Sequence, residues 1–251
     1  MRALVTADLH YQLRQFDWLQ EVAGDYDAVV LAGDFLDIAA PVPPNAQLVP
    51  VLRHLERLSR RTKLLVCSGN HDLTGRNSAG EKSAVWMEAV RAIGIPCDGD
   101  QVLADDVLVS ICPWWDGPSS HAEVAAQLAR DAGSPAPAWI WMYHAPPPGS
   151  PTSWVGSRHR GDEALAAWVQ QYQPTAVICG HIHQAPFLPQ GSWIDRIGST
   201  WVLNAGNQIG PVPTSIVVDT DARTASWRSL AGEHMIAFDD QQTMPPHLQS
   251  T

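Results

Sequence analysis

The amino-acid sequence predicts an α/β fold in which parallel strands alternate with helices. Three observations predict it: short apolar runs of strand length recur, segments with helical spacing of apolar residues separate them, and the connections are short. The chain has 251 residues, of which 45% are hydrophobic and 17% are charged. One α/β domain with a sizeable core can therefore form.

The first part of the chain has the order β-α-β-α-β. Strands are predicted at residues 2–7, 27–32 and 63–67, and the helices between them at 15–23 and 47–61. In the second helix, apolar residues recur three and four positions apart, which places them on one face. The short connections favour parallel strands joined by right-handed crossovers.

The second part continues this alternation and then changes. Helices are predicted at 82–94, 119–131 and 162–172, a hairpin at 101–104 and 107–111, and strands at 138–143, 175–179, 200–204, 214–219 and 224–229. The last three strands have no helix between them, which favours antiparallel pairing. The segment 145–161 is rich in Pro, Gly and Ser and is predicted as a long loop. We expect one domain over residues 1–230, followed by a poorly structured tail at 231–251.

The charge of the chain limits its partners. There are 26 acidic and 16 basic residues, a net charge of -10. Nucleic-acid backbones bind through clustered Lys and Arg, so we expect no extended nucleic-acid surface. A small phosphoester substrate remains compatible with this charge, because bound cations can reverse it locally.

The sequence also predicts a location. The apolar run at the N-terminus is shorter than a signal peptide and is interrupted by Asp8. No window approaches 18 uninterrupted apolar residues, so no transmembrane helix and no membrane partner are expected. The four cysteines are scattered without CxxC spacing, which favours free buried thiols. We expect a cytoplasmic protein, and the oligomeric state stays open.

Five of the predicted strands end at polar side chains that can bind metal ions. These are Asp8 with His10, Asp34, Asn70, His144, and His181 with His183. In open α/β sheets the ligand site lies beyond the carboxyl ends of the strands. If these strands share one sheet, the seven side chains meet at one place.

The seven candidate ligands offer carboxylate oxygens, imidazole nitrogens and one amide oxygen. This mixture suits Mn, Fe, Zn, Co or Ni and disfavours a closed structural zinc site. Seven ligands are too many for one tetrahedral ion, but they suffice for two ions if one carboxylate bridges. Two divalent ions about 3.5–4 Å apart form the usual clamp for in-line displacement at phosphorus.

The motifs around these ligands resemble those of the calcineurin-like metallophosphoesterase superfamily. In chain order they are Asp8-Leu9-His10, Gly33-Asp34-Phe35-Leu36-Asp37, Gly69-Asn70-His71-Asp72, His144, and Gly180-His181-Ile182-His183. Any single motif is a weak signal, but five in the right order are specific. The resemblance covers residues 8 to 183. It implies a four-layer α/β/β/α sandwich of two mixed sheets and a phosphoester hydrolase with a binuclear metal centre.

The resemblance further implies a role for each ligand. Asp8, His10 and His183 would hold the first metal ion. Asn70, His144 and His181 would hold the second, and Asp34 would bridge the two. A hydroxide between the metals would attack the phosphorus in line, because metal binding lowers the pKa of water to about 7.

Two further residues receive catalytic roles from the resemblance. His71 would donate a proton to the departing oxygen, and Asp37 would orient His71. The alternative for His71 is a further metal ligand. We also expect Gly33 and Gly69 to allow tight turns under the metals. Alternation along an extended segment would place His181 and His183 on the same side.

Candidate substrate contacts are less specific. Arg158 and Arg160 lie in the 145–161 loop, and an arginine there is well shaped for a phosphate oxygen. A solvated surface loop explains them equally well. Trp114 and Trp115 either line a substrate pocket or pack at the rim of the core.

The motif details favour a phosphodiesterase. Serine/threonine protein phosphatases of the superfamily usually continue the second motif with Arg-Gly and end the third in Glu. Here the corresponding residues are Ile38-Ala39 and Asp72, which look more like the bacterial phosphodiesterase and nuclease branches. We expect a nucleotide-like or small phosphodiester substrate and two divalent ions (Mn, Fe, Zn or Ni), with Mn favoured. The alternatives are a DNA or RNA nuclease and a catalytically idle protein-binding scaffold, against which His71 and the complete ligand set argue.

Overall fold

Two six-stranded mixed sheets face each other in the computed structural model, which describes residues 1–104 and 106–238. The strands are β1 (Arg2–Thr6), β2 (Ala28–Ala32), β3 (Lys63–Cys67), β4 (Gly75–Arg76), β5 (Lys82–Ser83), β6 (Gln101–Ala104), β7 (Val107–Ile111), β8 (Ala138–Met142), β9 (Ala176–Cys179), β10 (Ile194–Ile197), β11 (Thr200–Asn204), β12 (Ser215–Asp219), β13 (Thr224–Ser229) and β14 (Gly232–Ala237). The helices are α1 (Leu13–Val22), α2 (Pro44–Ser59), α3 (Met87–Ala92), α4 (Pro118–Asp131) and α5 (Glu163–Tyr172).

The two sheets have the same construction. The first has the strand order β14-β13-β12-β1-β2-β3, and the second has the order β10-β11-β9-β8-β7-β6. In the first sheet, β1, β2 and β3 are parallel, as predicted, and Val5 of β1 lies opposite Val30 of β2. In the second sheet, β7, β8, β9 and β11 are parallel. The later strands β12 and β13 pair antiparallel, as predicted, and β14 continues this pairing. The third strand of the predicted antiparallel group, β11, differs: it lies in the second sheet, where it is parallel to β9 and antiparallel to β10.

Three apolar clusters define four layers. Between the sheets, buried side chains of both sheets pack together, among them Val30 and Ile178. On the outer face of the first sheet, helical residues such as Phe16 and Leu55 cover the strands. On the outer face of the second sheet, Leu165 packs near the buried Trp141. The predicted four-layer α/β/β/α sandwich of two mixed sheets is thus confirmed.

The strands that end at the candidate ligands do not share one sheet. Strands β1, β2 and β3 belong to the first sheet, whereas β8 and β9 belong to the second. Their polar ends nevertheless meet, because the apolar inner faces of the two sheets pack against each other. The site therefore bridges both sheets at one end of the sandwich.

The C-terminal boundary differs from the prediction. Residues 232–237 fall within the expected tail, but they form β14, in which His234 pairs with Trp227 of β13. This strand lies at a sheet edge and none of its residues is fully buried, and its sequence GEHMIA lacks the continuous apolar run that marks the inner strands. The rest of the predicted tail, 239–251, lies outside the described residues.

Two other elements of secondary structure differ from the prediction. Strand β10 was not predicted, and the helix expected at 82–94 covers only Met87–Ala92, because residues 82 and 83 pair with β4 in a small hairpin. Across residues 1–104 and 106–238, no helix combines the length and hydropathy needed to cross a bilayer.

Candidate metal centre

The loops after β1 and β2 are joined by backbone hydrogen bonds beyond the ends of the strands. The N–H of Asp8 donates to the carbonyl of Gly33 (3.0 Å), and the N–H of His10 donates to the carbonyl of Asp34 (2.9 Å). Asp8, His10 and Asp34 adopt left-handed conformations with φ of 56°, 41° and 55°. Such conformations are costly for residues other than glycine, and they concentrate where the surrounding structure fixes a functional side chain. Both carboxylates are buried.

The two glycines serve different purposes. Gly33 has φ of +91°, which confirms the predicted tight turn, and a methyl group there would overlap the His144 ring. Gly69 is extended, with φ of -117°, so the expectation of a tight turn at this residue was wrong. A β-carbon on Gly69 would lie 2.7 Å from the backbone nitrogen of Asp34. Glycine is needed there because two ligand loops approach each other closely.

Asp72 fastens these two loops together, a role that the sequence did not reveal. One carboxylate oxygen accepts the N–H groups of Asp34 (2.9 Å) and Gly69 (2.8 Å), and the other accepts those of Phe35 (3.0 Å) and Leu36 (3.1 Å). Burial and the nearby charge of Asp34 raise the pKa of Asp72, while the N–H groups of Gly69 and Leu36 oppose this rise. The final acidic residue of the third motif was the signal that could have identified it.

The first group of candidate ligands consists of Asp8, His10 and His183. The Nε2 atom of His183 lies 3.3 Å from Oδ1 of Asp8 and 3.0 Å from Nε2 of His10. Burial lowers the pKa of His10. Burial also acts to lower the pKa of His183, but the hydrogen bond and charge of Asp8 outweigh it and raise the pKa. These donors converge as a metal ion requires.

The second group consists of Asp34, His144 and His181, with Asn70 beside them. His144 Nε2 lies 3.2 Å from Asp34 Oδ2, and His181 Nδ1 lies 2.8 Å from Asn70 Oδ1. Burial acts to lower the pKa of His144, but Asp34 and then Asp8 outweigh it and raise the pKa to about 10. Burial and the charge of His144 lower the pKa of His181 to about 4.

Asp34 lies between the two groups. The same oxygen, Oδ2, is 3.8 Å from Nε2 of His10 in the first group and 3.2 Å from Nε2 of His144 in the second. The other oxygen, Oδ1, accepts the N–H of His71 (2.8 Å). Burial acts to raise the pKa of Asp34, but the charge of His144 dominates and holds the pKa below its usual range. This geometry suits a bridging ligand.

The donor atoms fit divalent metal ions. Nδ1 of His144 lies 2.6 Å from the carbonyl oxygen of Ala32, which can only accept, so Nδ1 carries the proton of the neutral ring. In this neutral form, Nε2 of His144 directs a lone pair at Oδ2 of Asp34, 3.2 Å away, and within the described residues no donor reaches this buried atom. Acceptors that face one another repel unless a proton or a cation lies between them. The raised pKa of His144 reflects the same crowding of acceptors.

His181 and His183 converge through a turn. Strand β9 ends at Cys179, His181 has a left-handed φ of 66°, and the N–H of Ile182 donates to the carbonyl of Gly180 (2.7 Å). The expected alternation along an extended segment was therefore wrong. The N–H of His181 instead donates to both oxygens of Asp8, at 3.1 and 3.0 Å, which brings the loops after β1 and β9 together.

Two asparagines, Asn204 at the end of β11 and Asn207 just beyond it, support this turn and were not predicted as site residues. The amide of Asn204 donates to the carbonyl oxygens of Ile182 (3.0 Å) and Thr152 (2.9 Å). The backbone N–H of Asn207 donates to the carbonyl of His183 (3.1 Å), and its side chain donates to the carbonyl of Asp8. The sequence Asn-Ala-Gly-Asn, which begins at the last residue of a predicted strand, was the available signal.

His71 borders the first ligand group, with its ring centroid 4.5 Å from that of His10. Its Nδ1 atom accepts the N–H of Ile38 at 3.5 Å. The Asp37 carboxylate accepts the N–H of Ala39 (2.8 Å) within its own turn, and its backbone N–H donates to Gln47 (2.8 Å). The proton-donor role of His71 and the orienting role of Asp37 stay predictions.

Arg158 and Arg160 both lie on the surface. Their backbones take part in a short turn, where Arg160 N–H donates to the carbonyl of Ser153 (2.8 Å) and the carbonyl of Arg158 accepts from Val155 (2.9 Å). Both residues are exposed. Their contact with a substrate phosphate stays a prediction.

The chain belongs to the calcineurin-like phosphoesterase family. The family model matches residues 1–185, a range that contains all seven candidate ligands. This agrees with the resemblance of the five motifs and with the Asp and His groups described above. No curated protein matches the chain.

Solved structures show the same fold at low sequence identity. The protein TT1561 of Thermus thermophilus is 14% identical, with 94% of this chain and 98% of that chain covered and a TM-score of 0.57. The purple acid phosphatase PPD1 from yellow lupin (Lupinus luteus) seeds is 12% identical, with 94% of this chain and 53% of that chain covered and a TM-score of 0.56. At these identities the likeness shows the fold alone.

Proposed function

We propose that this protein is a metal-dependent phosphodiesterase that acts on a small or nucleotide-like phosphodiester. It would bind two divalent ions through the seven residues Asp8, His10, Asp34, Asn70, His144, His181 and His183. The position of Asp34 Oδ2 between the two ligand groups is the observation that carries this proposal. Membership of the calcineurin-like phosphoesterase family supports phosphoester hydrolysis as the reaction.

The chain's own residues prepare the site for this chemistry. Two bound divalent ions lower the pKa of water to about 7 and offset charge on the phosphoryl oxygens. Asp34 and Nε2 of His144 would hold these ions. Asp72 fixes the backbone of Asp34, and the Ala32 carbonyl fixes the ring of His144, so both ligands are already oriented. His71, at the edge of the first group, would hold a proton for the leaving oxygen.

A diester fits the charge of the chain better than a monoester. A phosphodiester carries one negative charge near neutral pH, whereas a monoester carries up to two. The chain has a net charge of -10, so outside the metal centre it repels the dianion more strongly. The motif endings at Ala39 and Asp72 favour the phosphodiesterase branch independently. Mn²⁺ is the first ion to test, because the mixed nitrogen and oxygen donors suit it.

The test compares two aryl esters with the same leaving group. Protein reconstituted with Mn²⁺ is assayed with bis(p-nitrophenyl) phosphate and p-nitrophenyl phosphate, and its metal content is measured by mass spectrometry. We expect two ions per chain and a kcat/KM for the diester at least about tenfold above that for the monoester. The control Asp34→Asn keeps the shape of the side chain and is expected to lose both the second ion and the activity.

Each result bears on a different part of the proposal. A strong preference for the monoester would overturn the phosphodiesterase assignment and leave the metal centre intact. Two bound ions without hydrolysis of either ester would overturn the enzymatic function and support a scaffold. Cleavage of single-stranded or double-stranded oligonucleotides in preference to the small diester would identify a nuclease instead.

The setting of this activity is also part of the proposal. A cytoplasmic location fits a chain whose four cysteines are free and buried, because buried thiols stay reduced there. We propose a small phosphoester as the partner, without an extended nucleic-acid surface. Cell fractionation checks the location, and recovery of the protein in a periplasmic or membrane fraction would contradict it.

A further inference from the structure

Trp114 lies against the second group of candidate ligands. It follows β7, and its ring centroid is 5.4 Å from the ring of His181 and 5.7 Å from the ring of His144. Its side chain is only half-buried. The indole therefore borders the second ligand group and also keeps part of its surface accessible to solvent.

The backbone of Trp114 is tied to a ligand loop. Its N–H donates to Oγ of Ser68 (3.0 Å), and the hydroxyl of Ser68 donates to Oδ2 of Asp98 (2.6 Å). The backbone N–H of Ser68 donates to the other oxygen of Asp98 (2.7 Å). Ser68 stands two residues before the ligand Asn70. Trp114 and the Asn70 loop are thus held by the same pair of side chains.

The neighbouring Trp115 provides a contrast. Its indole N–H donates to the hydroxyl of Tyr143 (2.7 Å) and to Asp162 (2.9 Å), and its ring packs against His121. Trp115 is thereby occupied by structural contacts. For the indole N–H of Trp114, residues 1–104 and 106–238 provide no acceptor. Tryptophan in a protein usually pairs this group with a partner or presents it to solvent or ligand.

We propose that Trp114 forms an aromatic wall of the substrate pocket and selects phosphodiesters whose non-leaving substituent is a planar aromatic group or a nucleoside. This inference rests on the proposed function, because it specifies the substrate class of the same site. An indole face stacks on any planar π-system, and removal of such a contact weakens binding by about tenfold. An alkyl ester offers far less surface to the indole, so it gains little from Trp114.

The experiment measures selectivity in binding and in hydrolysis. Isothermal titration calorimetry on the Mn²⁺-loaded protein compares phenylphosphonate with methylphosphonate, neither of which is hydrolysed. Hydrolysis compares thymidine 5′-(p-nitrophenyl phosphate) with methyl p-nitrophenyl phosphate, which share one leaving group. We expect Trp114→Ala to lower both selectivity ratios by about tenfold, Trp114→Phe to retain most of the selectivity, and both variants to keep their metal content.

The control variant is Trp115→Phe, which changes the adjacent tryptophan and is expected to leave both ratios unchanged. Unchanged ratios in Trp114→Ala with normal metal content would overturn the inference and leave the proposed function standing. If Trp114→Ala loses metal, the same measurements are made on Trp114→Leu, which keeps apolar bulk without a π-system. Unchanged selectivity ratios in Trp114→Leu would then overturn the inference. A wild-type protein that binds two ions but hydrolyses neither ester would instead overturn the proposed function.

Discussion

Substitution of Asp72 by asparagine tests whether the ligand loops depend on one buried carboxylate. Both oxygens of Asp72 accept two backbone N–H groups each, from Asp34 and Gly69 and from Phe35 and Leu36. Asparagine has nearly the same shape but replaces one oxygen with an NH₂ group, which can only donate. In either orientation of the amide, two buried N–H groups then face another donor.

The expected loss of stability follows from the two buried N–H groups that lose their acceptor. A buried donor that loses its acceptor costs about 1–3 kcal/mol, so Asp72→Asn should lower the free energy of unfolding by about 2–6 kcal/mol. The metal centre should weaken as well, because the loops carrying Asp34 and Asn70 separate when Asp72 no longer joins them. We therefore expect lower occupancy of the second ion at a fixed Mn²⁺ concentration.

Urea unfolding monitored by circular dichroism gives the stability of the metal-free protein, and mass spectrometry gives its metal content after reconstitution. The exposed Asp25, changed to asparagine, is the matched control and should stay within about 0.5 kcal/mol of the wild type. If Asp72→Asn is as stable as that control and binds two ions, the four hydrogen bonds do not hold the loops together.

Three other predictions concern the same site. His71→Gln should slow hydrolysis of alkyl-leaving-group diesters by about 10²- to 10⁴-fold and of p-nitrophenyl esters far less, because only a poor leaving group needs the proton; equal losses would argue against the acid role. Gly33→Ala should lose metal, because the methyl group displaces His144. Gly80, with φ of +80° against +91° at Gly33, has open space around it, so metal loss in Gly80→Ala as well would point to backbone strain alone. Since a proton competes with the metal for His144, whose pKa is raised to about 10, Mn²⁺ binding at pH 7 should release protons and strengthen as pH rises; calorimetry in two buffers of different ionisation enthalpy measures this, and absence of proton release would contradict it.

The sequence was sufficient for features that depend on local pattern. Apolar runs predicted β1, β2, β3, β8 and β9, because buried parallel strands need continuous apolar residues. Edge strand β14 escaped this pattern, since it begins with Gly-Glu-His and none of its residues is fully buried. The predicted ligands follow the inner strands, so their positions in the chain could be identified without knowing how the sheets pack.

Features that depend on contacts between distant segments could not be read in the same way. Glycine is required at position 69 because the backbone there lies very close to Asp34, and no local sequence pattern predicts that contact. The four hydrogen bonds of Asp72 likewise appear only when the loops after β2 and β3 lie side by side. For His181, a left-handed turn replaced the extended segment that strand-like alternation suggested.

The strained and crowded parts of the site have a common explanation. Asp8, Asp34 and His181 all adopt left-handed conformations, and buried acceptors converge around them. Hydrogen bonds from neighbouring loops offset the free-energy cost of the left-handed backbone and of the crowded acceptors. The apolar cluster between the sheets keeps those loops together. The protein's own hydrogen bonds and core packing therefore hold the carboxylate and imidazole groups close together, which is the arrangement that a bound metal ion would need.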